Sequence, residues 1–158
     1  MRSEGLLRPC RALALGLLLM ASAAWANMGG EEEAQSNDPN VVEGKKALDN
    51  KDLKKAIESF EKAAAADPKN ADVQNYLGFA HRVSGNLDLA IKYYQEALRL
   101  SPGHKGAHEY LGEAYLLADK PGKAEEHLQK LDQICMTGCE EFKQLKAKIA
   151  EYKKAKHK

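Results

Sequence analysis

A repeat of 34 residues runs through most of this chain and limits what it can fold into. Glycine recurs at Gly44, Gly78 and Gly112. The same interval relates Ala56, Ala90 and Ala124, then Ala63 and Ala97, then Phe60, Tyr94 and Leu128, and finally Pro68 and Pro102. A period of this length indicates a stack of similar supersecondary units, each of which buries its apolar side against the next.

The residue types at these positions indicate helical hairpins. Small side chains let two helices approach to about 8–10 Å where they cross, and a large apolar residue between them fills the seam. Glycine costs about 1 kcal/mol of helix propensity relative to alanine, so its recurrence indicates close packing at Gly44, Gly78 and Gly112. Pro68 and Pro102 follow the second helix of a unit, because residues before proline are pushed away from helical geometry.

The segment Tyr76-Leu77-Gly78, with Ala90, Tyr94, Ala97 and Pro102 after it, resembles the tetratricopeptide repeat (TPR) pattern. The resemblance implies an all-α fold, a right-handed α-solenoid of three TPR helical hairpins with a C-terminal capping helix. We expect the repeats at residues 37–70, 71–104 and 105–138. The period predicts helices over residues 39–49, 53–66, 71–83, 87–100, 105–118, 121–133 and 138–155.

The N-terminal segment has the features of a secretion signal. Three arginines precede the apolar run 12–21, and Ala24-Trp25-Ala26 fits the pattern that a signal peptidase reads. We therefore expect residues 1–26 to be a signal peptide cleaved after Ala26 and the protein to be periplasmic or secreted, with an uncleaved anchor as the alternative. Residues 27–38 are acidic and poor in apolar side chains, which predicts a disordered arm.

The charge of the mature chain argues against nucleic-acid binding. The whole chain has a formal charge of +1, and cleavage would remove three arginines and one glutamate, which leaves −1. No basic excess would then be available for phosphate contacts.

Lysines do cluster in residues 138–158, where Phe142, Leu145, Ile149 and Tyr152 form one apolar stripe. We interpret this segment as a capping helix with a basic tail, started by a capping box at Thr137 and Glu140. A membrane-surface helix is the alternative, and we expect no stable membrane insertion after cleavage.

The TPR resemblance also implies a binding surface. In this family the first helices of successive repeats line a concave groove that receives a peptide or a partner's helix. The positions of this chain that match the groove are Val41, Lys45, Leu48, Asn75, Phe79, Arg82, Glu109, Glu113 and Leu116. They include an aromatic residue beside charged ones, as binding surfaces often do. They lack the lysine- and asparagine-rich set with which some members clamp a C-terminal carboxylate.

Cysteine and histidine residues define the alternative to a binding module. Cleavage would leave Cys135 and Cys139, and export favours a disulfide between them; free thiols and metal ligation are the alternatives. His104 and His108 have a spacing that can hold a metal, but a site would need a third ligand such as His81. We assign no cofactor and no metal site.

No catalytic motif is present: the chain lacks G-x-S-x-G, H-E-x-x-H and a P-loop. The sequence therefore predicts a non-enzymatic module that binds a protein or peptide partner and aids assembly of a cell-envelope complex. The alternative function is a copper-, zinc- or thiol-handling accessory protein that uses Cys135 and Cys139. Self-association is left open, because repeat arrays can stack end to end.

Overall fold

The computed structural model describes residues 38–156, which form seven α-helices and no strand. The predicted signal peptide and almost all of the predicted acidic arm lie outside the described residues. The helices are α1 Pro39–Asp49, α2 Leu53–Ala66, α3 Ala71–Val83, α4 Leu87–Leu100, α5 Lys105–Leu117, α6 Pro121–Cys135 and α7 Glu140–Lys156. Their ends lie within two residues of the expected ones, and none is long and apolar enough to cross a membrane.

The helices begin where the sequence supplies caps. The side chains of Asp38, Asp52 and Asn70 each accept a hydrogen bond from a free backbone N–H in the first turn of α1, α2 and α3. His104 does the same for α5 through its Nδ1 atom. Pro121 occupies the first turn of α6, where its missing N–H leaves no hydrogen bond unmade.

Helices α1 and α2, α3 and α4, and α5 and α6 pack as hairpins, and each hairpin packs against the next. In the first two hairpins the repeating glycine lies under the large residue of the second helix. A Cβ atom on Gly44 would lie 2.5 Å from the Phe60 ring, and one on Gly78 would lie 2.6 Å from the Tyr94 ring. Both rings are fully buried. The solenoid of repeated hairpins expected from the sequence is therefore confirmed.

The third hairpin differs from the first two in what covers its glycine. The side chain that a Cβ on Gly112 would meet is Leu145 of α7, at 2.6 Å, and not Leu128 of α6. Leu128 is only half-buried, while Leu131 is fully buried at the position that holds alanine in the other repeats. The last helix thus supplies the seam residue that α6 supplies elsewhere.

Helix α7 covers the end of the stack. Leu145 and Ile149 are buried against α5 and α6, and Phe142 and Tyr152 pack at the edge of the same core. The expected capping box is wrong, because the Thr137 hydroxyl donates to the carbonyl of Cys135 instead of accepting an amide. The helix begins two residues later than expected, since the carbonyl of Cys139 accepts the first helical hydrogen bond, from the amide of Lys143.

Candidate functional site

The 34-residue period places equivalent positions of α1, α3 and α5 on one side of the hairpins. We call this surface the first-helix face. It consists of the fifth, ninth and twelfth residues of each repeat, which are Val41, Lys45 and Leu48, then Asn75, Phe79 and Arg82, then Glu109, Glu113 and Leu116. Contacts between these helices link the three repeats into one surface, as the following distances show.

The fifth residue of each repeat is buried and forms the floor of the face. Val41 is 1% exposed and packs with Ala63 and Val73, so it is a core residue beneath the face and not the accessible groove residue that was expected. Asn75 and Glu109 are 6% and 4% exposed. At the floor, therefore, the first repeat is apolar while the second and third carry polar groups.

Lys45, Phe79 and Arg82, at ninth and twelfth positions, are only partly buried and contact aromatic rings. The Lys45 ammonium lies 4.5 Å from the centre of the Tyr76 ring. The rings of Phe79 and Tyr110 are 5.5 Å apart, and the Arg82 guanidinium lies 5.2 Å and 5.5 Å from their centres. Such cation–π contacts hold the arginine in place while leaving part of the rings accessible.

Arg82 is the centre of the polar contacts on the face. Its guanidinium pairs with the Glu113 carboxylate at 3.1 Å, and both side chains are more than four-fifths buried. Its Nε–H donates to the Tyr94 hydroxyl at 3.3 Å. Burial raises the pKa of Tyr94 to about 12, so this hydroxyl stays neutral. The acid that pairs with Arg82 lies on the next repeat, and the sequence alone does not reveal this pairing.

Glu109 is the most perturbed acid of the face. Burial, together with the charges of Glu113, Glu141 and Glu140, raises its pKa to about 7, while Arg82 opposes this shift. Its Oε1 atom is buried and has no hydrogen-bond partner among residues 38–156. This carboxyl group can therefore gain or lose a proton near neutral pH, or accept a hydrogen bond from a bound molecule.

A cavity of about 440 Å³ opens between the first-helix face and α7. Arg82, Glu113 and Leu116, three of the residues assigned to the groove, line one side of it. The other lining residues are Leu117, Lys148, Glu151, Tyr152 and Ala155. The volume fits one or two side chains of a partner, and its walls combine apolar surface with charges of both signs. The contribution of α7 was not predicted, because the groove was assigned from the repeats alone.

The histidines are distributed over separate contacts. His104 Nε2 lies 2.9 Å from Asp72 Oδ1, and His108 bonds to His127 through their Nδ1 atoms at 2.9 Å. His81 stacks on Tyr93. Burial lowers the pKa of His81, His108 and His127, which favours their neutral forms. Within residues 38–156, no three His, Cys, Asp or Glu side chains are grouped as metal ligands.

Cys135 and Cys139 lie at the turn between α6 and α7. Their Cα atoms are 5.4 Å apart and their sulfur atoms are joined, a separation that a disulfide spans readily. The bond connects the last residue of α6 to the residue before α7. It therefore lies where it can fix the cap against the third hairpin.

Comparison with known protein families identifies the repeat. Residues 41–105 and residues 84–149 match two family models, and each model describes a tetratricopeptide repeat. Together the two matches run from the first helix into the last one.

Three individual proteins illustrate the similarity. The chain is 30% identical to Superkiller protein 3 of Saccharomyces cerevisiae over 110 residues, which is 69% of this chain but 8% of that protein. It superimposes on the first TPR of Spaghetti bound to the HSP90 peptide SRMEEVD with a TM-score of 0.66 and 17% identity, covering 75% of this chain and 91% of that one. It matches MamA of Desulfovibrio magneticus RS-1 with a TM-score of 0.59 and 28% identity, covering 62% and 55%.

Proposed function

This chain belongs to the tetratricopeptide repeat family, and from that premise we propose that it is an exported protein-interaction module whose first-helix face holds a segment of a partner protein. The repeats supply packed helices that present this face. The structural neighbour bound to an HSP90 peptide supports peptide binding as the general use of such a domain. The proposed partner is not a peptide of that HSP90 kind, because the face lacks the lysine- and asparagine-rich set that clamps a C-terminal carboxylate.

The observation that carries the proposal is the cavity beside Arg82, Glu113 and Leu116. Binding energy at protein interfaces is concentrated in a few aromatic and arginine residues around a pocket. Here Arg82 is already fixed by Glu113, Tyr94 and the Phe79 ring, so little side-chain entropy would be lost on binding. A partner's apolar side chain in the cavity would contact Leu116 and Tyr152 while its backbone crosses the face.

Export and assembly of a cell-envelope complex are the finer part of the proposal. The basic start, the apolar run and the Ala24-Trp25-Ala26 pattern support cleavage after Ala26 and a periplasmic or secreted location. An oxidising compartment would also keep the Cys135–Cys139 bond formed. The N-terminal sequence of the protein purified from its native cells tests the cleavage directly: Asn27 as the first residue supports export with removal of the signal, and an intact Met1 contradicts cleavage after Ala26.

The binding proposal is tested with two matched double variants. Phe79→Ala/Arg82→Glu removes the aromatic anchor and reverses the charge on the first-helix face. Leu89→Ala/Lys92→Glu makes the same kinds of change at exposed positions of α4. Both variants and the wild type are cross-linked in native cell-envelope extract, and the captured proteins are identified by mass spectrometry.

We expect a defined set of proteins to be captured by the wild type and by the α4 variant but lost from the first-helix variant. Circular dichroism establishes first that both variants keep wild-type helicity. If the first-helix variant is folded and captures the same proteins as the wild type, the face is not the binding surface.

A further inference from the structure

The floor of the first-helix face holds the Glu109 carboxylate, and Arg82, the cation that acts on it, is already paired with another acid. Glu109 is 4% exposed, and its Oε1 atom is buried without a hydrogen-bond partner in the part of the chain that the structure describes. Arg82 is the cation whose charge acts on it, but that guanidinium is bonded to Glu113 at 3.1 Å. A buried carboxylate oxygen without a donor is unfavourable, so its presence at this place points to a donor that arrives with a partner.

A second acceptor on a different helix points to the same kind of ligand. Asn75 of α3 is 6% exposed, and its Oδ1 atom is also buried without a partner within residues 38–156. Its Nδ2 atom lies 3.5 Å from where a Cβ on Gly106 would be. Gly106 precedes Glu109 by about one turn of α5. Two unsatisfied acceptors from neighbouring repeats therefore lie on adjoining parts of one floor.

The charges around Glu109 favour a cation. Glu113 on the same helix and Glu140 and Glu141 at the start of α7 all raise the pKa of Glu109, so each adds negative potential there. Among the described residues, Arg82 is the positive group that opposes them. These carboxylates are not grouped as metal ligands among the described residues. A lysine or arginine side chain, which needs one carboxylate at a time, fits this arrangement better than a metal ion.

We propose that the first-helix face recognises a basic segment of its partner, in which a lysine or arginine donates to Glu109 and an N–H group donates to Asn75. This inference rests on the proposed function and specifies the chemistry of the partner. The partner's cation would replace the missing donor, and small side-chain movements at the floor, common at interfaces, would admit it. A neighbouring apolar residue of the same segment would then reach the cavity beside Leu116.

The test uses random dodecapeptides displayed on phage and selected against the protein in its natural processed form. Affinities of the selected peptides are measured by fluorescence anisotropy. Each peptide is also made with its lysines and arginines changed one at a time to glutamine. The protein variants are Glu109→Gln, which keeps the shape of the side chain, and Glu58→Gln, which makes the same change at an exposed position of α2.

We expect the selected peptides to share a lysine or arginine whose replacement weakens binding to the wild type and to Glu58→Gln by at least about tenfold. The same replacement should change binding to Glu109→Gln by less than about twofold, because the two changes remove the same contact. If Glu109→Gln keeps the full preference for the basic residue, the inference is overturned.

The outcomes separate this inference from the proposed function. Peptides without any basic preference that bind the wild type but not Phe79→Ala/Arg82→Glu would overturn the inference and leave the binding surface in place. Peptides that bind Phe79→Ala/Arg82→Glu as well as the wild type would overturn both.

Discussion

Changing Glu109 to glutamine should stabilise this protein above neutral pH and leave its stability unchanged in acid. The carboxyl group is buried among Glu113 of its own helix and Glu140 and Glu141 of α7, with Arg82 of α3 as the opposing charge. Folding therefore requires either that Glu109 keep its proton or that its negative charge be tolerated in this site. Glutamine has the same shape and no charge, so it neither buries a charge nor has to bind a proton.

The magnitude follows from the two pKa values. The carboxyl pKa is raised from 4.5 to about 7 in the folded protein. The folded state thus binds the proton more tightly than the unfolded state, and stability falls as the pH rises between these values. Each pH unit in this interval costs about 1.4 kcal/mol, so the wild type should lose about 3 kcal/mol by pH 8. Below pH 4.5 the residue is protonated in both states and contributes no such loss.

Urea unfolding followed by circular dichroism at pH 4.5 and pH 8 measures this difference. We expect Glu109→Gln to match the wild type at pH 4.5 within about 0.5 kcal/mol and to exceed it by about 3 kcal/mol at pH 8. The exposed control Glu58→Gln should change the free energy of unfolding little at either pH. A Glu109→Gln variant that is no more stable than the wild type at pH 8 would refute the assignment of Glu109 as an uncompensated buried acid.

Three further predictions concern the packing of the stack. Gly78→Ala should lower the free energy of unfolding by about 1–2 kcal/mol, because its Cβ would lie 2.6 Å from rigid Tyr94 ring atoms; Gly122→Ala, with open space around it, should raise it by about 0.5–1 kcal/mol. If the two changes had equal effects in thermal melts, the close packing of Gly78 under the Tyr94 ring would be contradicted. Leu145→Ala should cost about 2–5 kcal/mol, because the side chain is fully buried over the third hairpin; a cost under about 1 kcal/mol would mean that α7 is not part of the core. Replacing both cysteines of the α6–α7 turn by serine should cost about 2 kcal/mol without changing the helical spectrum, and an unchanged mass on reduction would show that the bond is not formed.

The architecture could be predicted from the sequence because one period controls it. Gly44 and Gly78 recur with Phe60 and Tyr94 at a fixed spacing, and the structure places each glycine under the matching ring. Helix ends were predictable for a local reason, since prolines, asparagines and aspartates stop or cap helices wherever they occur. The third hairpin was less predictable: Gly112 is covered by Leu145, which lies outside the repeats, and a period carries no information about it.

The candidate site was predictable in outline but not in its charges. The repeat positions place Phe79, Arg82 and Glu113 on neighbouring helices, and in the structure Arg82 contacts the other two. Burial of Val41 was missed, because an apolar residue at a groove position fits a core equally well. The pairing of Arg82 with Glu113 and the unsatisfied state of Glu109 depend on side-chain geometry between repeats, which no local sequence pattern specifies.

Chemical-shift mapping by NMR shows directly whether the first-helix face binds a partner segment. A selected peptide is titrated into isotope-labelled protein while the backbone and side-chain signals are recorded by NMR. We expect the largest shifts on Phe79, Arg82, Glu113 and Leu116 and on the α7 residues around the cavity. Shifts concentrated instead on the exposed sides of α2 and α4, with the first-helix face unchanged, would contradict this expectation.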